Sequence, residues 1–392
     1  MRMRTLVVIL ACVCFFAPAA ALRHAAWPML GHDAQHTGAT SAKGPVHGAR
    51  AWAFQMGSPL SESGNCISSA SIDAQDNIYY GSADGYLYKL SASGALLWRA
   101  GGLGGYLCFS TPAISADGAL VYLGTQGGTL YALNGTSGAS VWTHQTGSWI
   151  CASPSIGSDG TVFAGGSDHV LRALDGRLGT LLWSFQTGID IFSSASLMQG
   201  MLYIGVHDDS VGLLALNAST GVEAWRVPGR TSYTPAAANG LVYAAFVGPG
   251  AVSAFNATTG SQVWTYSVGA LAPPPLNNGV PVLGHANDVL FSFGGTIFCL
   301  HAGNGGVRWM FNSTSPEGAC SISTARNLYY ATCNDGYLYA LTAQGQAVWS
   351  YSFGTPPFQY SVTSSPAINS RGVLVFASGV AGGANSSLLA IS

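Results

Sequence analysis

CFSTPAISADGALVYLGTQGGTLYALNGTSGASVW, residues 108–142, is the clearest copy of a unit that the sequence repeats eight times. Within it Val121, Leu123, Leu130 and Ala132 fall at period-two spacings, and Tyr122 and Tyr131 add β-preferring aromatics, so LVYLGT and TLYALN read as strands. The turn signals between them are tight. Asp117-Gly118, Gly127-Gly128 and Thr136-Ser137-Gly138 each suit a turn that needs positive φ, which divides the unit into four short antiparallel strands, A to D.

Each copy carries a tryptophan near the end of strand D: Trp52, Trp98, Trp142, Trp183, Trp225, Trp264, Trp309 and Trp349. The seven intervals average about 42 residues, the period of a four-stranded propeller blade. Strand B recurs as IYYGS, VYLGT, VFAGG and LYIGV, and strand C as YLYKL, TLYAL, VLRAL and YLYAL. One such sheet cannot bury both of its faces, so the copies must stack radially. The last copy has strands A to C at 364–368, 373–378 and 387–391 but no D, while ARAWAFQ around Trp52 has a D signature with no A to C before it. The fold expected is therefore all-β: an eight-bladed propeller over 50–392, closed by the N-terminal strand completing the last blade. In blade six the four prolines of APPPLNNGVPVLGHANDVL cannot donate to a ladder, which predicts an irregular strand A and a longer A–B connection.

Residues in the hydrophobic set make up 48% of the chain and charged residues only 8%, with 52 glycines, a composition that excludes disorder and fits an all-β protein rich in turns. Residues 1–21 have a basic start, an apolar run of about a dozen residues and small residues at Ala19 and Ala21, the pattern of a secretory signal; a stable membrane span would need about 20 apolar residues. A lipoprotein at Cys12 is the weaker alternative, because the apolar run before it is short. Removing 1–21 takes away Arg2 and Arg4 and no acid, making the rest two units more negative than the whole chain's −2, which argues against a nucleic-acid partner. Residues 22–49 form a lead-in segment without a blade. Its His24, His32, His36 and His47 follow no zinc spacing, so packing and capping of the propeller is the reading preferred over metal binding.

The WPMLGHDAQHTG stretch, followed by repeated G-[ST]-x-D-G-x-L-Y-A-L-[DN]-x-x-T-G-x-x-x-W units, resembles the pyrroloquinoline-quinone-repeat (quinoprotein-like, BamB-like) β-propellers over nearly all of the chain past the leader. That superfamily includes quinone-dependent alcohol and sugar dehydrogenases as well as scaffold proteins, so the resemblance implies the fold without choosing the function. The enzymes carry a pair of adjacent cysteines over the quinone, a tryptophan floor under it and acidic and amide ligands for calcium. Here no two cysteines are adjacent, and acids such as Asp73, Asp76, Asp117, Asp159, Asp168 and Asp335 sit in turn-like positions. The expectation is a secreted, non-catalytic binding or scaffold module with no cofactor. A dehydrogenase using pyrroloquinoline quinone with calcium is the alternative, and a carbohydrate-binding propeller is a third class.

In a propeller the D–A and B–C connections share one face and the A–B and C–D connections the other. Tyr106, Trp149, Phe192, Tyr233 and Tyr360 precede strand A and are candidates to ring a funnel mouth, where Asp190, Arg230 and Glu62 would orient a protein, peptide or glycan ligand. The competing reading is that these aromatics plug gaps between blades. Small and hydroxyl residues of strand A should line a narrow axis, for which the crowding of eight inner strands is sufficient reason. Cys320 and Cys333 lie symmetrically about the turn 325–328 and should face each other as a disulfide, and Cys66 and Cys108 share a repeat column. Five N-x-[ST] sequons, at Asn134, Asn217, Asn256, Asn312 and Asn385, are candidates for glycosylation, the first three in C–D turns whose own chemistry also favours asparagine.

Overall fold

The fold was read from a computed structural model that describes residues 26–56, 68–105, 107, 110–231, 233–247, 250–268, 280–285, 287–314, 320–354, 364–378 and 387–392. Eight four-stranded antiparallel sheets each run A to D from the axis outwards. Blade two, for example, comprises Ala113–Ile114, Leu120–Gly124, Thr129–Asn134 and Ser140–Gln145. Strands B and C are almost wholly buried, whereas strand D alternates exposed and half-buried residues, as an outer edge with one packed side must. Closure is as the sequence predicts: Arg50–Gln55 pairs with Ser387–Ile391, placing Trp52 opposite Ala390, and so supplies the fourth strand of blade eight. No helix among the described residues is long and apolar enough to cross a membrane.

The tryptophan column joins neighbouring blades. Seven of the eight indole N–H groups donate to a carbonyl in the C–D turn of the following blade, as in Trp142 to Gly176 (2.8 Å), Trp183 to Ala218 (2.9 Å) and Trp264 to Ala302 (2.8 Å). The ring lies on a glycine of that same turn. Gly179, for instance, has φ +71°, and a Cβ there would stand 2.6 Å from the Trp142 ring, so both the conformation and the space require glycine.

Strand A explains its own composition. Backbone amides donate to hydroxyls of the next blade in a running series: Ser365 to Ser69 (3.0 Å), Ser69 to Thr111 (3.1 Å), Thr111 to Ser153 (2.9 Å), Ser153 to Ser194 (2.9 Å) and Ser194 to Thr234 (2.9 Å). Adjacent inner strands are not paired as a sheet, so their amides need another partner, and a small hydroxyl side chain provides one without filling the crowded axis. Crowding alone was the expected reason; hydrogen bonding between blades is a second.

The lead-in segment circles the axis on the A–B face and touches the innermost strands in order. Trp27 exchanges backbone bonds with Ile72 of blade one (3.0 and 2.7 Å), and Pro28 accepts from Ile114 of blade two (2.8 Å). His36 then reaches blades three and four through Nε2, which lies 3.3 Å from the Ser155 hydroxyl and 2.9 Å from the Ala195 carbonyl. Further on, Gln35 accepts from Ala237 of blade five (2.9 Å), Thr37 from Leu283 of blade six (2.7 Å) and Gly38 from Thr324 of blade seven (2.7 Å). The segment ends by imitating a C–D turn. Pro45 accepts from the indole of Trp349 at 3.3 Å, and a Cβ on Gly48 would lie 2.6 Å from that ring. This strap thus docks blade seven before the chain becomes the last strand of blade eight.

Blade six departs from expectation in one respect. Strand A is the short pair Val282–Leu283, which begins only after the prolines, but the A–B connection before Asp288 is four residues long, like those of other blades. The extra length lies in the D–A connection, much of it at 269–279 outside the described residues. Proline cannot donate to the ladder, so pairing starts past it and the insertion is pushed upstream. In blade seven, Cys320 and Cys333 stand directly opposite each other, with Cα atoms 4.1 Å apart, and are joined as a disulfide. Cys66 and Cys108 lie outside the described residues.

Candidate binding face at blades three and four

On the D–A face the amides of Leu107, Ile150, Ile191 and Thr231 each donate to the end of strand B in the blade just completed, at Ser82, Thr125, Gly166 and Val206 (3.1–3.3 Å). These bonds define the true repeat column, in which Trp149, Asp190 and Arg230 are equivalent, each one residue earlier. Trp149 is 54% exposed, and the buried Ile150 beside it plugs the blade seam. Phe192 lies two positions past Asp190 and is still 43% exposed.

Tyr233 requires a correction. It lies three positions past Arg230, in the column of Ala152 and Ser193, and is only 5% exposed within the apolar cluster of blades five and six. A pattern of aromatics does not register which column each one occupies, so Tyr233 fills a seam and does not ring the mouth. The cavity beside it, lined by Phe246, Val252, Phe291 and Phe293 among others, is apolar and holds about 10 Å³, room for one water. Tyr106, Tyr360 and Glu62 lie outside the described residues.

The B–C turn of blade three builds the centre of this face. Ser167 donates its amide to the Trp149 carbonyl (2.8 Å), and Gly166 accepts from Ile191 (3.1 Å), so one turn holds the loops carrying Trp149 and Phe192. His169 ends that turn at φ +66°, where the equivalent residues of blades one, two and seven are Gly85, Gly128 and Gly336. A side chain retained in the left-handed region costs energy that glycine would not, which directs attention to what the side chain does. His169 Nε2 meets Asp190 Oδ1 at 3.0 Å. Asp168 pairs with Arg172 at 2.6 Å and accepts the Gly147 amide at 3.2 Å, and in the next blade Arg230 pairs with Asp209 at 3.1 Å. Asp168 and Arg230 thus each have an ion-pair partner, and Asp190 is bonded to the His169 ring. Sequence reasoning found Trp149, Phe192, Asp190 and Arg230 but missed His169 and Asp209, whose signal is their shared B–C turn column.

Nearby Cys151 is partly buried, and desolvation, with the negative Asp190 second, pushes its thiol up to about 11, so it stays protonated and unreactive. Among the described residues no three His, Cys, Asp or Glu side chains come together in a group that would hold a metal ion. The acids predicted in turns serve the backbone: Asp117 accepts from Ala119, Asp159 from Thr161, and Asp335 from Thr314 and Tyr337. The repeat tryptophans are docked between blades, and the axial hydroxyls accept strand A amides.

The opposite face carries the sequon turns. Asn134, Asn217 and Asn256 each accept the amides two and three residues ahead at 2.9–3.0 Å, and Asp175 does the same in blade three, so the turn itself accounts for the residue type. Asn312 sits instead at the end of a D strand, where it accepts from the Thr296 hydroxyl (2.8 Å), and Asn385 lies outside the described residues.

An all-β ring of eight four-stranded blades, with docking tryptophans and a bound lead-in, defines a quinoprotein-like repeat propeller. A family profile described as outer membrane protein assembly factor BamB matches residues 83–196 and 188–328, more than half of the sequence, and the chain belongs to that family. BamB of Burkholderia pseudomallei is 28% identical over 243 residues, 58% of this chain and 62% of that protein. The tetrathionate hydrolase of Acidithiobacillus ferrooxidans is 36% identical over 104 residues, 25% of this chain. The match thus spans less than two thirds of the BamB relative and only 19% of the hydrolase. Among solved structures, BamB from Moraxella catarrhalis superposes with a TM-score of 0.65 at 19% identity, covering 86% of this chain and 97% of that one. Quinohemoprotein alcohol dehydrogenase from Comamonas testosteroni gives 0.75 at 13% identity, covering 93% and 80%. At these identities the structural likeness shows the fold alone.

Proposed function

We propose that this chain is an extracytoplasmic, non-catalytic propeller that binds a protein partner at the D–A face of blades three and four. The observation that carries this reading is the exposed pair Trp149 and Phe192, held about a single turn whose histidine occupies a glycine position. Aromatic anchors surrounded by polar side chains bonded to one another are the composition of a protein-binding patch, where tryptophan contributes disproportionately. The Cys320–Cys333 disulfide supports an oxidising compartment. Membership of the BamB family, whose name denotes an assembly factor, supports a protein as partner.

Trp149→Ala should weaken binding of the partner by about 2 kcal/mol or more, whereas Arg177→Ala, in the C–D turn of blade three, should leave it unchanged. Loss with Arg177→Ala alone would place the interaction on the other face. Turnover of alcohols or sugars in a dye-reduction assay with pyrroloquinoline quinone and calcium would replace this reading with the dehydrogenase, and saturable sugar binding without turnover would replace the protein partner with a glycan.

A further inference from the structure

The A–B face carries a basic cluster where the strap crosses blades seven and eight. Arg326 donates its amide to the Ala42 carbonyl at 2.9 Å, and Gly44 exchanges bonds with the Asn327 side chain at 2.8 and 3.2 Å. On the other side of the strap, a Cβ on Gly372 would run into the Lys43 carbonyl. Backbone contacts therefore set Lys43 between Arg326 and Arg371. Lys43 and Arg326 are exposed, and no ion pair among the described residues involves them. Arg371 is 71% exposed while its Nε rests 3.3 Å from Asp76, whose buried carboxylate also accepts from Ser370.

Apart from the buried Asp76, the adjoining turns lack acids. The turns 325–328, 342–346 and 369–373 and the strap from 40 to 50 contain no Asp or Glu, and Val46 adds an exposed apolar side chain. The other half of the same face is different: its turns carry Asp117, Asp159 and Asp175 in blades two and three, and the sequon turns in blades two, four and five. Lys43, Arg326 and Arg371 thus lie together in the sector of this face whose own turns carry no acid.

We propose that Lys43, Arg326 and Arg371 form a second docking surface, for an acidic polypeptide segment. Two guanidinium groups suit carboxylates, and the row across the strap suits an extended strand of them. A flat anionic membrane is disfavoured, because contact across this face would also bring it against Asp117, Asp159 and Asp175. The surface is separate from the aromatic mouth and does not depend on that reading.

The test uses the full chain and a fluorescein-labelled deca-glutamate peptide, followed by anisotropy at low and at 150 mM salt. Saturable, salt-weakened binding is expected, with about a tenfold loss in Lys43→Gln/Arg326→Gln/Arg371→Gln, since each exposed pair contributes up to about 1 kcal/mol. Arg326→Gln alone should show a smaller loss, and Arg177→Gln, in the acidic sector, none. The proposal is overturned by absence of saturable binding, by equal affinity of both neutralised variants and the unchanged protein, or by co-sedimentation with phosphatidylglycerol vesicles that the peptide does not compete.

Discussion

His36 shows how one side chain of the strap governs behaviour at low pH. It is fully buried, and desolvation lowers its imidazole to about 4 from the ordinary 6.5, with the negative Asp33 opposing the shift. The unfolded chain therefore takes up a proton before the folded one does. The stability gained from the neutral ring is fully present above pH 6.5 and is lost as pH falls from there towards 4, a loss of about 3 kcal/mol. In urea denaturation at pH 7 and pH 4, His36→Gln should lose less stability than the unchanged protein by about that amount. Identical pH dependence in the two would show that His36 is not the group responsible. Nothing in the sequence separates this histidine from His32 or His47, because its burial depends on two carbonyl and hydroxyl groups, at Ala195 and Ser155, more than a hundred residues away.

At the level of strands, the ladder of hydroxyls around the axis has a measurable role. Thr111→Val keeps the shape but leaves the Ser69 amide without its acceptor in a buried site, which should cost about 1–3 kcal/mol. Thr143→Val, on the exposed edge of the same blade, should change stability by under about 0.5 kcal/mol. Equal effects would mean that crowding, and not hydrogen bonding, selects the strand A residues. The strands, their order and the Cys320–Cys333 pairing were legible because alternation, turn glycines and the tryptophan column repeat eight times and average out local noise. The D–A loops were not. Trp149, Asp190 and Arg230 are equivalent by their backbone bonds, but the aromatics do not keep to that column, and Tyr233, three positions past Arg230, falls in the core.

For the molecule as a whole, closure depends on a segment that the repeat pattern reads only as a lead-in. Its path along the inner strands was not legible, since WPMLGHDAQHTG has neither strand nor helix periodicity and its partners are spread over seven blades. Deleting 22–55 removes the strap, the carbonyl that docks Trp349 and the last strand of blade eight together, and should abolish a cooperative thermal transition; an unchanged melting temperature would refute closure by the N-terminus. The binding role is a separate claim, and site-specific photo-crosslinking tests it most directly. With p-benzoylphenylalanine at position 149, 192 or 177 of the full chain in its own host, the account predicts a discrete protein adduct from 149 and 192 and none from 177. Adducts from 177 alone, or none from 149 and 192, would contradict it.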